Sequence, residues 1–414
     1  MAKYTILRDM SRQNVAGPFE AAISEREDAA PSSARIEVES LDKRDIRALA
    51  RDPQVRAIAP VMPITLVRPV DMEGAQPEPQ AAATGATWGV KAVGADVSTR
   101  TGSGVTVCVL DTGIDAGHKA FQGVTLVQKD FTGTGDGDKQ GHGTHCAGTI
   151  FGRDVDGTRI GVARGVTRAL IGKVLGDDGS GSTDGILSGL QWAAVEQNAH
   201  VISMSIGIDL PGFVRQQVEA GMPADLAASA ALQAYRANVR AFDALMEMIR
   251  SREVFENGSV IVAAAGNASR RQVNPDFEIG VEMPAAADGV ISVAALQQPA
   301  TALQVAPFSN TFANISAPGV GVISARLGGG LLSLSGTSMA APHVAGIAAL
   351  WWEQILTTAV PATTARAAVV AKLLSNATTN AFAPGVDPAD RGVGLAATTA
   401  ISCATTSGTR RRSR

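Results

Sequence analysis

Two serines and a histidine share one short segment, LSGTSMAAPHVAG, at residues 334–346. A serine hydroxyl becomes a nucleophile when a neighbouring base accepts its proton, so Ser338 and His343 are the first candidates for such a pair. If both stand on one helix, five residues at about 100° each place their side chains about 140° apart around its axis. The base must therefore come from elsewhere, and the alternative for His343 is a buried structural histidine.

Two of the four other histidines lie in GHGTHCAG, at residues 141–148. His142 stands at the start of an apolar helix, where flanking glycines allow a close approach of the backbone. We predict that His142 is the base. The alternative is a metal pair, because His142 and His145 are three residues apart and could share a helix face. No further ligand stands at a recognisable spacing, apart from the adjacent Cys146.

Two apolar strands end in residues that could complete such a site. VTVCVLDTGID, at residues 105–115, ends a strand in Asp111. A carboxylate at that place is costly unless it is bonded, and orienting an imidazole N–H is one such use. VIVAAAGNAS ends another strand in Gly266 and Asn267, and the side-chain amide of Asn267 could donate to an oxyanion. Taken singly, each residue could also be an ordinary turn residue.

The elements that must position these residues follow from the apolar pattern. From Trp88 onward, short and nearly continuous apolar runs alternate with helical segments. This pattern predicts an α/β fold with a mostly parallel central sheet and helices on both faces. A helical insert at about 211–257 has apolar residues at helical spacing, which indicates core packing. A lid or a partner surface is the alternative for the insert.

The first 70 residues predict a separate small α+β domain. Strands are expected at KYTIL, at ARIEVESL and at VRAIAPVMPITLV, and a helix is expected at LDKRDIRALARD. A Pro/Ala/Gln/Gly-rich linker follows at 71–87. The main domain is then predicted at 88–400, and 401–414 is a tail.

The composition excludes several classes of protein. With 45% hydrophobic and 18% charged residues, the 414-residue chain has the composition of a soluble globular protein. A net charge of −3, from 36 basic and 39 acidic residues, argues against nucleic acid or an anionic membrane as a partner. Three cysteines cannot build a disulfide framework. The first residues have no apolar run of signal-peptide length. We therefore expect a cytoplasmic protein as written, or a secreted one whose leader is missing.

Together, four segments resemble the signatures of one family. DTGID, HGTHCAG, AAAGN and LSGTSMAAPHVAG resemble, in this order, the Asp, His, Asn and Ser segments of subtilisin-like serine peptidases, the subtilases of peptidase family S8. The resemblance covers residues 88 to about 400. It implies a serine endopeptidase that hydrolyses peptide bonds through an acyl-enzyme intermediate.

The resemblance also implies a role for each site residue. Ser338 would be the nucleophile, His142 the general base and then acid, and Asp111 the residue that fixes the histidine tautomer. Asn267 and the backbone N–H of Ser338 would form the oxyanion hole. Ser335 would be a loop residue.

The substrate cleft is placed by the same resemblance. GDDGSGS, at residues 176–182, is similar to the strand edge that pairs with an extended peptide. SIG is similar to one wall of the pocket for the side chain before the scissile bond. Glu282 falls at the base of that pocket and would favour Lys or Arg there, unless it swings out to solvent. The implied cleft residues are Gly179, Ser180, Gly181, Ser205, Ile206, Gly207 and Glu282.

Residues 1–70 resemble the inhibitory propeptide of the family, especially at DIRALARDPQVRAIAPV. The resemblance implies a zymogen that cuts itself within about 67–86, with the end of the propeptide lying in the cleft. No cofactor is required. Ala120 replaces the aspartate calcium ligand of many relatives, which argues against the usual strong calcium site and leaves a weaker one open.

Peptide or protein substrates and the chain's own propeptide are the expected partners, and we expect a monomer. The alternative function is a non-catalytic interaction protein on the same fold.

Overall fold

The structure, a computed structural model, describes residues 2–11, 34–71, 84–254, 256–298, 302–358 and 360–398. Most of the predicted linker at 71–87 lies outside these ranges. The predicted tail at 401–414, with Cys403, also lies outside them. None of the helices in these ranges combines the length and the apolar character of a membrane-spanning segment.

The N-terminal part is a three-stranded antiparallel sheet in the order β2–β1–β3. Its elements are β1 (Ala2–Asp9), β2 (Ala34–Leu41), α1 (Lys43–Leu49) and β3 (Val55–Pro60). Asp42 caps α1, because its carboxylate accepts the free N–H groups of Arg44 and Asp45 at 2.6 and 2.9 Å.

The predicted strand at residues 55–67 was wrong in one respect, because it is divided. β3 ends at Pro60, and a separate strand, β4 (Pro63–Leu66), belongs to another sheet. Proline has no N–H to donate to a ladder, and the two prolines bracket the point where the chain changes partner.

The main part carries the remaining strands. Along the chain they are β5 (Thr106–Asp111), β6 (Thr125–Asp130), β7 (Arg168–Lys173), β8 (Ser180–Ser182), β9 (Val201–Met204), β10 (Ile206–Ile208), β11 (Val260–Ala264), β12 (Val290–Gln297), β13 (Gln304–Val305), β14 (Ile315–Pro318), β15 (Val322–Ala325) and β16 (Leu331–Leu334). A two-residue parallel pair joins Gly85–Ala86 to Thr158–Arg159.

The helices of the main part lie between these strands. They are α2 (Trp88–Ala92), α3 (His142–Phe151), α4 (Thr183–Gln191), α5 (Leu210–Glu219), α6 (Ala224–Ser251), α7 (Thr337–Leu356), α8 (Ala362–Ser375) and α9 (Pro388–Arg391). A π-helical turn at Trp192–Glu196 extends α4, and short 3-10 turns lie at Lys119–Phe121 and Arg252–Val254.

Eight strands form the central sheet in the order β13–β12–β11–β9–β5–β7–β6, with β14 also paired to β12. Every neighbouring pair is parallel except β12 with β13. Val107 and Val109 of β5 pack into one hydrophobic cluster with α3 and α7, and Cys108 and Leu110 pack into another with α4 and α6. Successive side chains of a strand point to opposite faces, so both faces of the sheet are covered. The predicted α/β fold with a mostly parallel sheet is confirmed.

The predicted insert at 211–257 consists of α5 and α6. Buried residues of α6 recur at helical spacing, as the sequence predicted. This face of α6 packs against α4 of the main part and against β1 and β3 of the N-terminal sheet. The insert therefore contributes to the core and also contacts the N-terminal part.

Candidate active site

Asp111 and His142 form the buried centre of the site. Asp111 is the last residue of β5 and His142 the first residue of α3, so they meet at the carboxyl edge of the sheet. The ring atom Nδ1 of His142 lies 2.9 and 3.0 Å from the two carboxylate oxygens. Burial by itself lowers the pKa of His142, but the carboxylate of Asp111 and the neighbouring Cys146 together outweigh it and hold that pKa well above its ordinary value. With Nδ1 donating to Asp111, the other ring nitrogen, Nε2, is the basic atom of the neutral ring.

A second set of contacts holds β5 and α3 together. Thr112 Oγ1 accepts from Gly143 N at 2.9 Å and donates to the buried carboxylate of Asp138 at 3.0 Å. Asp138 also accepts from the backbone N and the hydroxyl of Thr144, at 3.0 and 2.7 Å. A Cβ on Gly143 would stand 2.2 Å from the carbonyl oxygen of Gly113, so only glycine permits this approach. Sequence reasoning missed Asp138, whose signal is an acceptor placed just before the free N–H groups of a helix.

Ser338 is the second residue of α7 and is fully buried. Pro342 lies in the same helix and has no N–H, so the Ser338 carbonyl lacks its usual helical donor. That carbonyl accepts instead from Ser205 Oγ at 3.3 Å and from Cys146 Sγ at 3.4 Å. Cys146 Sγ lies 3.7 Å from His142 Nδ1 as well. Cys146 therefore contacts both Ser338 and His142, which places these two residues around the same thiol.

Two other histidines take structural places. His343 packs closely on Gly89, where an added Cβ would stand 2.2 Å from the ring atom Nε2. Burial lowers the pKa of His343 to about 4. His145 Nε2 donates to the carbonyls of Val322 and Leu332, both at 3.1 Å. Burial, reinforced by the neighbouring site histidine, lowers the pKa of His145 to about 3. Both rings are therefore neutral members of the core.

The alternative of a metal pair at His142 and His145 gains no support from the ligand atoms that cluster around His142. Among the described residues, the ligand atoms of Asp111, His142 and Cys146 are those that lie within 4.8 Å of one another. His142 Nδ1 is hydrogen-bonded to Asp111 and His145 Nε2 to backbone carbonyls, so neither of these two nitrogens is open to a metal ion.

Asn267 follows β11, and its amide is held in one orientation. Its Oδ1 accepts from the backbone N and the hydroxyl of Thr337, at 2.9 and 2.8 Å. An amide oxygen only accepts and its nitrogen only donates, so Nδ2 must face the cleft. There it donates to the carbonyl of Arg68 at 2.9 Å. Sequence reasoning missed Thr337, although it is next to Ser338, because its partner is 70 residues away.

The chain's own residues 63–70 run through the cleft. β4 lies between β8 and β10 and pairs antiparallel with both. Leu66 N donates to Gly179 O at 3.0 Å, and Val67 N to Ser205 O at 3.4 Å. Six of the seven cleft residues named from the sequence lie along these two edges: Gly179, Ser180, Gly181, Ser205, Ile206 and Gly207. The two edges therefore hold the segment as a peptide strand.

Val67 presents its carbonyl to the candidate nucleophile. Ser338 Oγ donates to Val67 O at 2.9 Å, whereas Asn267 donates to the next carbonyl along the chain. Ser335, a loop residue as predicted, accepts the N–H of Val70 at 2.7 Å just beyond this point. The segment therefore passes directly over the site.

Glu282 lies in the pocket that receives the Val67 side chain. A Cβ on Gly207 would stand 3.1 Å from Glu282 Oε2 and 3.5 Å from Val67 Cγ2. Burial raises the pKa of Glu282, and a hydrogen bond from Asn310 opposes this shift. The carboxylate therefore faces the pocket and is not swung out to solvent.

Comparison with known proteins points to one family. The model of the subtilase family matches residues 102–394. A thermostable alkaline protease of Halalkalibacterium halodurans is 30% identical over 316 residues, which are 75% of this chain and 70% of that protein. A cuticle-degrading serine protease of Arthrobotrys oligospora is 35% identical over 264 residues, 61% of this chain and 53% of that protein. A thermophilic serine proteinase of a Bacillus species is 32% identical over 285 residues, 67% of this chain and 57% of that protein. The chain thus spans between about half and 70% of the length of these relatives.

Proposed function

The chain belongs to the subtilase family of serine endopeptidases, and from that membership we propose how its residues divide the work of hydrolysing a peptide bond. Asp111, His142 and Ser338 act as the triad, and Asn267 serves as a donor of the oxyanion hole. The observation that carries this proposal is a peptide carbonyl, that of Val67, which lies 2.9 Å from Ser338 Oγ beside the buried Asp111–His142 pair.

In the reaction, His142 Nε2 accepts the proton of Ser338 Oγ as the oxygen attacks the carbonyl carbon. To do so, the hydroxyl must turn from the carbonyl oxygen toward Nε2, which has no hydrogen-bond partner within the described part of the chain. Asp111 stabilises the imidazolium that forms. Asn267 Nδ2 and the backbone N–H of Ser338 donate to the oxyanion. His142 then protonates the leaving amine, and water releases the acyl group by the same steps.

Residues 1–67 act, in this proposal, as an inhibitory propeptide that the chain removes by itself. The register supports the bond between Val67 and Arg68, because Val67 N–H is bound by Ser205 and its carbonyl lies on Ser338. Its carbonyl oxygen does not yet lie on Asn267, which holds the next one. Cleavage therefore requires Val67 O to move onto the Asn267 amide, so that one carbonyl meets both groups.

The substrate is an extended segment of peptide or protein. Backbone pairing with β8 and β10 is independent of sequence, so selectivity falls to the pocket side chains. Glu282 is half-buried in the pocket beneath Val67, and a cationic Lys or Arg there would satisfy its carboxylate. We therefore propose a preference for Lys or Arg before the scissile bond.

No metal ion is required for this chemistry. Ala120 stands where the family resemblance implies a calcium-binding aspartate, and it is fully buried with its N–H donated to His118 Nδ1 at 3.0 Å. A methyl group offers no ligand, so these residues do not fit a strong calcium site at this position.

Labelling with a serine-directed organophosphate tests the proposal. The full chain should bind one equivalent and lose its activity on peptides, and Ser338→Ala should do neither. Ser335→Ala is the matched control, because it removes the other serine hydroxyl of the same segment and should keep both properties. Equal labelling of wild type and Ser338→Ala, or no hydrolysis of any peptide by the wild type, would contradict the proposal.

A further inference from the structure

Asn238 is a buried amide on the alanine-rich inner face of α6. It is 0% exposed, and its buried neighbours on this face include Ala231, Ala234 and Ala241. Its Nδ2 donates to the carbonyl of Pro60 at 2.9 Å and to that of Ala234 at 3.0 Å. Its Oδ1 is also buried, and it has no hydrogen-bond partner among the residues that the structure describes. A buried acceptor left without a donor is costly, so its presence here needs an explanation.

Pro60 is the eighth residue before the proposed scissile bond, counting Val67 as the first. The main part contacts the intervening backbone as well. Thr183 binds both backbone groups of Met62, its Oγ1 accepting the N–H at 3.1 Å and its N–H donating to the carbonyl at 3.0 Å. Asp209 N donates to the carbonyl of Pro63 at 3.0 Å. Backbone recognition therefore continues well beyond β8 and β10.

The missing donor for Asn238 is explained by the residue that it meets. Val61 N donates to Lys3 O at 2.9 Å, inside the N-terminal sheet. Adjacent residues of an extended strand direct their backbone groups to opposite sides, so residue 60 directs both of its groups toward α6. Proline has no N–H, and only its carbonyl can be bound. A residue of any other type would present an N–H beside that carbonyl, and an asparagine amide carries an acceptor beside its donor.

We propose that Asn238 is a substrate-binding residue that takes both backbone groups of the eighth residue before the scissile bond. The inference rests on the proposed function, because it extends the cleft of the same peptidase. The propeptide, with Pro60 in this place, uses half of the subsite. A long unfolded substrate without proline there uses all of it and so gains a hydrogen bond that the propeptide lacks.

Peptides that differ in one atom group test this proposal on enzyme that has processed itself from the full chain. All carry the same residues around the scissile bond. One peptide has alanine at the eighth residue before the scissile bond, and one has lactic acid there, which puts an ester oxygen in place of the N–H. The third, the six-residue peptide, begins at the sixth residue before the scissile bond. The wild type should cleave the alanine peptide with about fivefold higher kcat/KM than the lactic acid peptide, the value of one neutral hydrogen bond. The difference should lie in KM, because the contact is far from the reacting atoms.

The variant Asn238→Ala should cleave the alanine and lactic acid peptides equally and should cleave the six-residue peptide as the wild type does. Gln233→Ala is the matched control, since it removes an amide from the exposed side of α6 and should keep the fivefold ratio. If Asn238→Ala does not mature, the wild-type ratio alone decides. Equal cleavage of the two long peptides by the wild type, or an unchanged ratio in Asn238→Ala, overturns the inference. Failure to cleave even the six-residue peptide would instead overturn the proposed function.

Discussion

Thr337 should control the rate of catalysis through the orientation of the Asn267 amide. Replacing Asn267 by leucine removes the Nδ2 donor, and loss of one oxyanion donor generally lowers kcat by on the order of 10²–10³-fold, or about 2.7–4 kcal/mol. Thr337→Val removes one of the two hydrogen bonds into Oδ1, the 2.8 Å bond from the hydroxyl, and leaves the 2.9 Å bond from the backbone N–H. One neutral hydrogen bond is worth about 1 kcal/mol, so we expect about a fivefold slower reaction.

The assay follows self-cleavage of the full chain after refolding from urea, with quenched samples examined by mass spectrometry. It reports a single intramolecular turnover, so substrate affinity does not enter. Thr337→Ser keeps the hydroxyl and is the matched control, which should react at nearly the wild-type rate.

The double variant decides whether Thr337 acts through Asn267. If it does, adding Thr337→Val to Asn267→Leu should cost little more, because the amide that it orients is gone. A further fivefold loss in the double variant would refute this reasoning and give Thr337 an independent role. An unchanged rate in Thr337→Val alone would also refute the reasoning.

The self-cleavage rate should rise with pH, and its midpoint should lie above the ordinary pKa of histidine. The reason is that only neutral His142 accepts the proton and that Asp111 raises the pKa of His142. A midpoint below about pH 6.5 in a pH series would contradict this prediction. Glu282→Gln should lower kcat/KM roughly tenfold for substrates with Lys or Arg before the scissile bond and leave kcat/KM for Leu substrates unchanged. If the wild type cleaves Leu or Phe substrates faster than Lys or Arg substrates, the preference is absent. Glu353→Gln should reduce the free energy of unfolding by about 1.5–3 kcal/mol in urea titrations, because the Glu353 carboxylate accepts two backbone N–H groups at 2.6 Å. The comparison is made in a Ser338→Ala background, which prevents self-digestion, and Glu219→Gln, at an exposed position, is the control. Equal losses of stability in the two variants would contradict this role of Glu353.

The positions of the candidate site residues could be predicted because strand ends are visible in the sequence. The apolar runs of β5 and β11 stop at Asp111 and just before Asn267, and parallel strands bring their carboxyl ends to one edge. The rejection of His343 as the base needed only the geometry of a helix. These inferences depend on local pattern alone.

Contacts between distant segments could not be predicted in this way. The orientation of Asn267 depends on Thr337, and the packing of α3 on β5 depends on Asp138, yet each of these residues is locally ordinary. β6 was not predicted either, because this edge strand is only partly buried and has no continuous apolar run.

The division of β3 from β4 had a local signal that the apolar run concealed. Pro60 and Pro63 each remove a ladder donor, and the strand changes sheets between them. The match of Pro60 to Asn238 on α6 appears only after folding, since the two residues are 178 apart.

In the proposed mechanism, Ser338 cuts the chain's own backbone after Val67. Intact mass and N-terminal sequencing of the refolded full chain measure this cut, with Ser338→Ala and Ser335→Ala beside the wild type. We expect a new N-terminus at Arg68 in the wild type and in Ser335→Ala, and an intact chain in Ser338→Ala. An intact wild-type chain, or the same cut in Ser338→Ala, would contradict cleavage by Ser338. A new N-terminus at Pro69 would show that the bond is selected by Asn267 and not by the register of Val67.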